Sequence, residues 1–311
     1  MTASMTSTTV TSDVPALVFV DDLAEGFGAP ARPFHGASPF HRADPASTPI
    51  DVLDLGITRG DGVFETAGVN HGHPQAIDAH LARMARSAAL LDLPAPRIEV
   101  WRRAVQEAIE AWGSDGHGAA KLIYTRGIEG TGVPTGWVYV WAEEPEGPIE
   151  RRDGITVVLL DRGYRSDVAK TSPWLLQGAK TLSYALNQAT LREAQRRGAD
   201  DAVYTSTDGF LLEGPHASLI LRFGDEFITP GTDQGILKGT TQGDAFDWLE
   251  GQGYGVGARQ VRVEEFAAAD AAWLVSSVRC AVPITRVDDR EMAIDRQVTD
   301  GLNAFLLERD C

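Results

Sequence analysis

Lysine is scarce in this chain. Of its 28 basic residues only four are lysines, Lys121, Lys170, Lys180 and Lys238, so a lysine in apolar surroundings stands out. Lys180 lies in SPWLLQGAKTLSYALN, behind an apolar segment and a glycine and ahead of a helical pattern. Held in an apolar pocket, a lysine has a lowered pKa and becomes a nucleophile able to form a Schiff base; the alternative is an ordinary surface lysine. A second constellation is ILKGTTQGDAFDWLEG, where Gly239, Thr240 and Thr241 directly precede an amphipathic helix. Free N–H groups, the positive end of the helix dipole and two hydroxyls suit an anion such as phosphate, although a plain threonine N-cap has the same appearance. The third is Glu213, in DGFLLEGPHASLIL. Buried, this carboxylate needs a cation or a pyridinium N–H as its partner; exposed, it is a turn residue at a strand end.

The elements that must position these groups follow from periodicity. Ala16–Val20 reads as a strand. The Pro/Gly/His/Ala-rich stretch from Asp22 to Ile50 has no period, and a loop that long is either functional, as a lid over a neighbouring subunit's site, or simply mobile. Helices are expected over Asp78–Asp92, with Leu81, Met84, Ala88 and Leu91 on one face, and over Glu99–Trp112. Strands at Lys121–Thr125 and Trp137–Trp141 flank the loop GIEGTGVPTG. Further on, strands are expected at Ile155–Leu160, Ala202–Thr205, Leu219–Arg222, Phe227–Ile228 and Trp273–Ser276, and helices over Tyr184–Arg197 and Thr241–Gly251. The acidic, proline-containing stretch around Glu143–Glu150 marks a linker. The expected organisation is a disordered tail over 1–14, a small α/β domain over 15–142, a linker over 143–154 and a larger α/β domain over 155–311, an α+β (mixed α/β) architecture without internal repeats.

Composition narrows the class. The chain has 311 residues, a length that suits two domains, and a formal net charge of −16. An acidic surface argues against nucleic acid or an anionic membrane as partner, because neutralising phosphate needs basic residues. No run of apolar residues is long enough to span a bilayer, and the Ser/Thr-rich N-terminus does not read as a signal peptide. Cys280 and Cys311 make no disulfide framework and lack metal-ligand spacing, so no metal is expected and a reducing, cytoplasmic compartment is.

A Schiff-base lysine, a phosphate cradle and a carboxylate are together what pyridoxal 5'-phosphate requires: one holds the aldehyde, one the phosphate, and the acid keeps the ring nitrogen protonated so that the ring can accept electrons. The chain resembles the fold-type IV pyridoxal-phosphate enzymes, which include D-amino-acid and branched-chain aminotransferases, (R)-amine transaminases and aminodeoxychorismate lyases. The likeness runs from about Asp54 to Val287 and rests on six segments in order: DLGITRGDGVFET, HLARM, GAKTLSYALN, GFLLEGP, ILKGTT and WLVSSVRCAVPI. It implies a two-domain fold like that of D-amino-acid aminotransferase and a homodimer. It also implies that Lys180 holds the cofactor and shuttles the proton, that Glu213 pairs with the pyridine nitrogen, and that Arg83, Thr240, Thr241 and Ser277 bind the phosphate. Tyr184 matches an aromatic near the ring hydroxyl.

Within that family the motif RGDGVFET, with Phe64 as its aromatic, fits the D-amino-acid, (R)-amine and lyase branches better than the branched-chain one. The chain departs from the first and third at their carboxylate clamps: Thr125-Arg126-Gly127 continues as IEGTGVP, without the Arg-x-His pair or loop arginine found there. Arg279, two residues past Ser277, and Arg59, ahead of the GDG turn, are the replacements offered by the sequence, since a guanidinium binds a carboxylate bidentately. The turn after Glu213, His216-Ala217-Ser218, also departs from the usual Thr/Ser-Asn. The expected reaction is transamination from a D-amino acid or (R)-amine to a 2-keto acid; the alternative is 4-amino-4-deoxychorismate lysis to pyruvate and 4-aminobenzoate. A non-enzymatic binding protein on a retained fold would have no need to keep Lys180 and Glu213.

Overall fold

A computed structural model of the protein describes residues 14–24 and 38–309; most of the N-terminal tail and much of the 22–50 loop lie outside them. The first sheet contains β1 (Ala16–Val20), β2 (Phe40–Ala43), β3 (Gly62–Asn70), β4 (His73–Pro74), β5 (Gly118–Thr125) and β6 (Thr135–Ala142), in the order β2-β1-β6-β5-β3-β4. All its pairings are antiparallel. A short helix α1 (Leu55–Thr58) leads into β3, while α2 (Ile77–Leu90) and α3 (Ile98–Trp112) cover one face of the sheet. Their spacing explains why: Leu81 and Met84 of α2 and Trp101, Val105 and Trp112 of α3 form single apolar stripes that pack on Val18, Val63, Leu122 and Val138.

The stretch expected as a linker carries helix α4 (Glu146–Asp153). Beyond it, β7 (Ile155–Asp161), β8 (Asp201–Thr205), β9 (Ser218–Phe223), β10 (Glu226–Pro230), β11 (Gly255–Arg259), β12 (Ala271–Ser276) and β13 (Cys280–Val287) form a second sheet in the order β11-β10-β9-β12-β13-β7-β8, with β14 (Arg290–Glu291) paired to β13. This sheet is mixed, its parallel pairs being β10–β11, β13–β7 and β7–β8. Helices α5 (Val168–Thr171), α6 (Ala185–Arg196), α7 (Thr240–Gly251), α8 (Val263–Phe266) and α9 (Arg296–Glu308) complete the chain. One face of the sheet is closed by α7 and α9, whose Ala245, Leu249, Val298, Leu302 and Leu306 pack on Ile220, Phe227 and Trp273.

Two elements hold the layers together. The segment after Gly178 lies along β3: Phe64 N–H donates to Lys180 O at 3.1 Å and Leu182 N–H to Gly62 O at 2.8 Å. At the other end, the Gln75 amide donates to Leu306 O (3.1 Å) and Leu307 O (2.6 Å), and the Asn70 amide to Leu307 O (2.8 Å). These bonds satisfy carbonyls that the last turn of α9 leaves without intrahelical donors.

Candidate active site

The two layers meet around Lys180. Its peptide N–H donates to Ser87 Oγ of α2 at 3.1 Å, so the lysine's backbone is fixed by a helix as well as by β3. The GDG turn makes this approach possible. A Cβ on Gly60, whose φ is +67°, would lie 2.8 Å from Ser183 Oγ, and one on Gly62 would lie 2.7 Å from both Leu182 Cδ1 and Tyr124 O. The Lys180 ammonium lies 4.5 Å from the centre of the Phe64 ring and 5.9 Å from that of Tyr184. Burial, helped by the charge of Arg83, lowers its pKa from 10.5 to about 8 against the opposing pull of Glu65 and Glu213. That raises the neutral fraction near pH 7 far above that of an ordinary lysine, which is what a Schiff-base amine needs.

Glu213 sits where the chain leaves its pairing with β8: Tyr204 N–H donates to Glu213 O and Leu212 N–H to Tyr204 O, each at 2.9 Å. Its carboxylate accepts from Leu237 N–H at 3.0 Å and faces Arg162 Nη1 at 3.4 Å. Burial raises its pKa, with the Arg162 charge as the largest opposing influence. An acid in that state is a fitting partner for a ring N–H. Tyr184, immediately ahead of α6, donates its hydroxyl to Pro215 O at 3.0 Å and meets Phe64 edge-on at 5.0 Å. His216 stacks on Tyr184 at 5.2 Å.

The third constellation is a cluster of hydroxyls. Ser277 Oγ, just past β12, lies 3.2 Å from Thr241 Oγ1 and 3.4 Å from Thr240 Oγ1. Both threonines are buried in the first turn of α7, whose N-cap, Gly239, has no side chain to cap it. A Cβ there would lie 2.3 Å from Ser218 Oγ, so the helix start requires glycine and leaves its N–H groups without a side-chain acceptor. Such a donor cluster fits a phosphate, and the plain threonine cap is not what forms.

Arg83 reaches the same region from α2 and donates from Nη1 to Lys238 O at 3.1 Å. Its other arm is fixed by a residue that sequence reasoning missed. Glu65 of β3 is fully buried and accepts from Arg83 Nε (2.8 Å) and Nη2 (2.7 Å) and lies 2.7 Å from His80 Nδ1. Burial alone would raise the pKa of Glu65, but the charge and hydrogen bonds of Arg83, with those of His80, outweigh it and hold it near 2. Burial also keeps His80 neutral, despite Glu65. With Nδ1–H given to Glu65, its Nε2 is left as an acceptor 3.1 Å from Ser277 Oγ and 3.3 Å from Thr240 Oγ1, able to take the proton of one of them. The signals were present: Glu65 alternates with Val63 and Ala67 on the core-facing side of a strand, and His80 is three residues before Arg83 on one helical face.

The residues expected to face substrate separate. Phe64 is buried beneath the Lys180 ammonium. Arg279 is engaged by two protein carboxylates, donating from Nε to Glu150 Oε2 and from Nη1 to Asp201 Oδ2, each at 2.7 Å. A substrate carboxylate would compete with both. Arg59 is exposed at the C-terminus of α1, outside this grouping.

Comparison with known proteins gives the same reading independently. The model of the amino-transferase class IV family matches residues 62–287. A curated relative from Mycobacterium tuberculosis, named bifunctional aminodeoxychorismate lyase / D-amino acid transaminase, is 42% identical over 248 residues, covering 77% of this chain and 86% of its own. A solved fold IV transaminase from Curtobacterium pusillum superposes with a TM-score of 0.89 at 51% identity, covering 94% of this chain and 97% of that one. A PLP-bound hypothetical aminotransferase from Mycobacterium tuberculosis superposes with a TM-score of 0.83 at 38% identity, over 86% and 96% of the two chains. The family match begins at the second glycine of the GDG turn and ends with β13, which takes in the lysine, the acid and the hydroxyl cluster: the chain belongs to the amino-transferase class IV family.

Proposed function

We propose that the protein is a transaminase that uses pyridoxal phosphate to move an amino group from a D-amino acid or (R)-amine to a 2-keto acid. The observation that carries this reading is the environment of Lys180, an amine with its pKa lowered to about 8 on which both Arg83 and Glu213 act electrostatically. Bound, the cofactor supplies an aldehyde for amines and a ring that accepts the electron pair left when a proton departs from the substrate carbon. The protein's own groups do the rest. Lys180 first holds the cofactor and then, released, moves a proton between the substrate carbon and the cofactor's C4′. Glu213 keeps the ring nitrogen protonated, and Tyr184 stands near the ring hydroxyl. Thr240, Thr241, Ser277 and Arg83 hold the phosphate, and Phe64 walls the amine from water. A homodimer in the cytoplasm, each chain divided near 143–154, belongs to the same proposal.

The handedness rests on the RGDGVFET motif, which fits donors other than branched-chain L-amino acids, and on the printed name of the Mycobacterium relative. That name also supports aminodeoxychorismate lysis as a second reading, because the same lysine and acid serve either reaction. The test is to add D-alanine, L-leucine, (R)-1-phenylethylamine or aminodeoxychorismate singly to the holoenzyme without acceptor. Loss of the yellow absorbance with D-alanine or the (R)-amine, restored by pyruvate, supports transamination. Catalytic release of 4-aminobenzoate with the yellow form regenerating unaided supports the lyase, and bleaching by L-leucine alone overturns the assigned handedness.

A further inference from the structure

Arg279 lies in the turn that carries Ser277. Ser276 of β12 pairs with Cys280 of β13, so Ser277, Val278 and Arg279 make the whole reversal between the two strands. Cys280 closes it at φ +57°, a left-handed conformation that glycine takes freely and that is unfavourable for a residue with a Cβ. Such a turn keeps its shape only where its surroundings determine it. On one side it packs against β3, where a Cβ on Gly68 would lie 2.7 Å from Ser277 O. Beyond it, Ala281 N–H donates to Asn303 Oδ1 (2.9 Å) and the Asn303 amide donates to Ala281 O (2.8 Å), which ties the start of β13 to α9. Within it, Arg279 reaches outwards, to Glu150 of α4 and to Asp201 at the start of β8, each at 2.7 Å.

A guanidinium engaged by two carboxylates from different elements has its plane and position fixed. Asp201 is buried, so releasing Arg279 would leave a desolvated carboxylate behind and the pair stays closed. The turn held in this way delivers Ser277 Oγ to a place 3.1 Å from His80 Nε2, 3.2 Å from Thr241 Oγ1 and 3.4 Å from Thr240 Oγ1. Those separations are already at the long end of hydrogen-bond range, and a shift of the turn by about 0.5 Å would break them.

We propose that Arg279 is a positioning residue for the cofactor phosphate: bound to Glu150 and Asp201, it holds the turn and with it the Ser277 hydroxyl, acting through Ser277 and not on the substrate. The proposal rests on the reading above of Ser277 as a phosphate ligand. It is tested by titrating apo-protein with pyridoxal phosphate and, separately, with pyridoxal, which lacks the phosphate, and reading the yellow absorbance. The quantity sought is the dissociation constant for pyridoxal divided by that for pyridoxal phosphate. A general loosening of the fold weakens both ligands alike and leaves this ratio where it was.

Ser277→Ala is expected to lower the ratio by about tenfold, the scale of a charge-assisted hydrogen bond. Arg279→Met should lower it by about fivefold or more, and adding Arg279→Met to Ser277→Ala should lower it no further, the coupling expected of residues that act as one unit. Arg279→Lys, which keeps the charge but binds one carboxylate at a time, should retain part of the ratio. If Arg279→Met does not fold, Glu150→Gln takes its place, since it releases one arm of the guanidinium and leaves the turn's own residues intact. A ratio that falls with Ser277→Ala but not with the Arg279 or Glu150 variant, or two effects that simply multiply in the double variant, overturns the proposal. A ratio unchanged by Ser277→Ala would instead remove the phosphate reading of Ser277, and the role of Arg279 with it.

Discussion

Glu65 carries much of the site without facing substrate. Fully buried, it joins Arg83 to His80 and through them fixes the hydroxyls of Thr240 and Ser277. Replacing it with glutamine leaves the Arg83 charge buried and partly unpaired, which costs about 3–5 kcal/mol; urea unfolding of Glu65→Gln should show that loss together with weaker cofactor retention. The sign of its pH dependence is fixed. The folded pKa, near 2, lies below the ordinary 4.5, so the stabilisation is complete above about 4.5 and is lost as pH falls towards 2, amounting to about 3 kcal/mol. Wild type should therefore lose stability between pH 5 and 3 more steeply than Glu65→Gln. For Lys180 the folded pKa is again lowered, so its reactive neutral form grows as pH rises through about 8. The rate at which apo-protein takes up the cofactor should rise with it and level off above; a rate independent of pH from 7 to 9 would contradict the assigned environment. At this scale the sequence was informative wherever a residue type was rare or out of place, as with Lys180 and Glu213. It offered Arg279 as a substrate clamp, because nothing in WLVSSVRCAVPI shows that Glu150 and Asp201 come to it from distant elements.

Among elements, β3 matters most to the site and was the least legible. Its sequence, GVFETAGVN, was read for its glycine turn and aromatic residue, and its burial on both faces removes the simple alternation by which strands are recognised. Helices with one apolar stripe were easier. The expected Asp78–Asp92 and Glu99–Trp112 correspond to Ile77–Leu90 and Ile98–Trp112. Helix α9 escaped notice although Val298, Leu302 and Leu306 recur at helical spacing and Asp295 accepts from Val298 N–H at 3.1 Å as its N-cap. Strand β2 lies within the stretch read as an unbroken loop, because its FHRA sequence carries almost no apolar signal. The close approach of β3 to the lysine segment is where the fold tolerates least. Gly62→Ala puts a methyl against Tyr124 O and Leu182, and should cost about 1–3 kcal/mol. Thermal unfolding would register this, and displacement of the lysine segment should raise the dissociation constant for pyridoxal phosphate as well.

For the whole molecule, two sheets from different halves of the chain are joined by polar contacts on either side of the site. The Gln75 amide is buried, and both of its N–H bonds go to α9 carbonyls. Gln75→Leu keeps the bulk but removes both of these bonds, leaving Leu307 O to Asn70 and Leu306 O to Arg309, at a cost of about 1–2 kcal/mol; differential scanning calorimetry should show a lowered transition. Composition and charge mark an ordinary globular chain, and the mixed fold was read from periodicity, but neither carries information about which strands neighbour one another. The order β11-β10-β9-β12-β13-β7-β8 depends on long-range pairing, which no local pattern records. What made the site legible despite this was that its parts are short, chemically unusual segments whose order along the chain could be read without knowing the topology.

The central claim is that Lys180 holds the cofactor, and it is tested most directly by reducing the holoenzyme with borohydride and locating the modified residue by peptide mass spectrometry. The account predicts a phosphopyridoxyl group on the peptide containing Lys180, absent after Lys180→Ala along with the visible absorbance. Modification at Lys121 or Lys238 instead, or the same yield of labelled protein from Lys180→Ala, would contradict it.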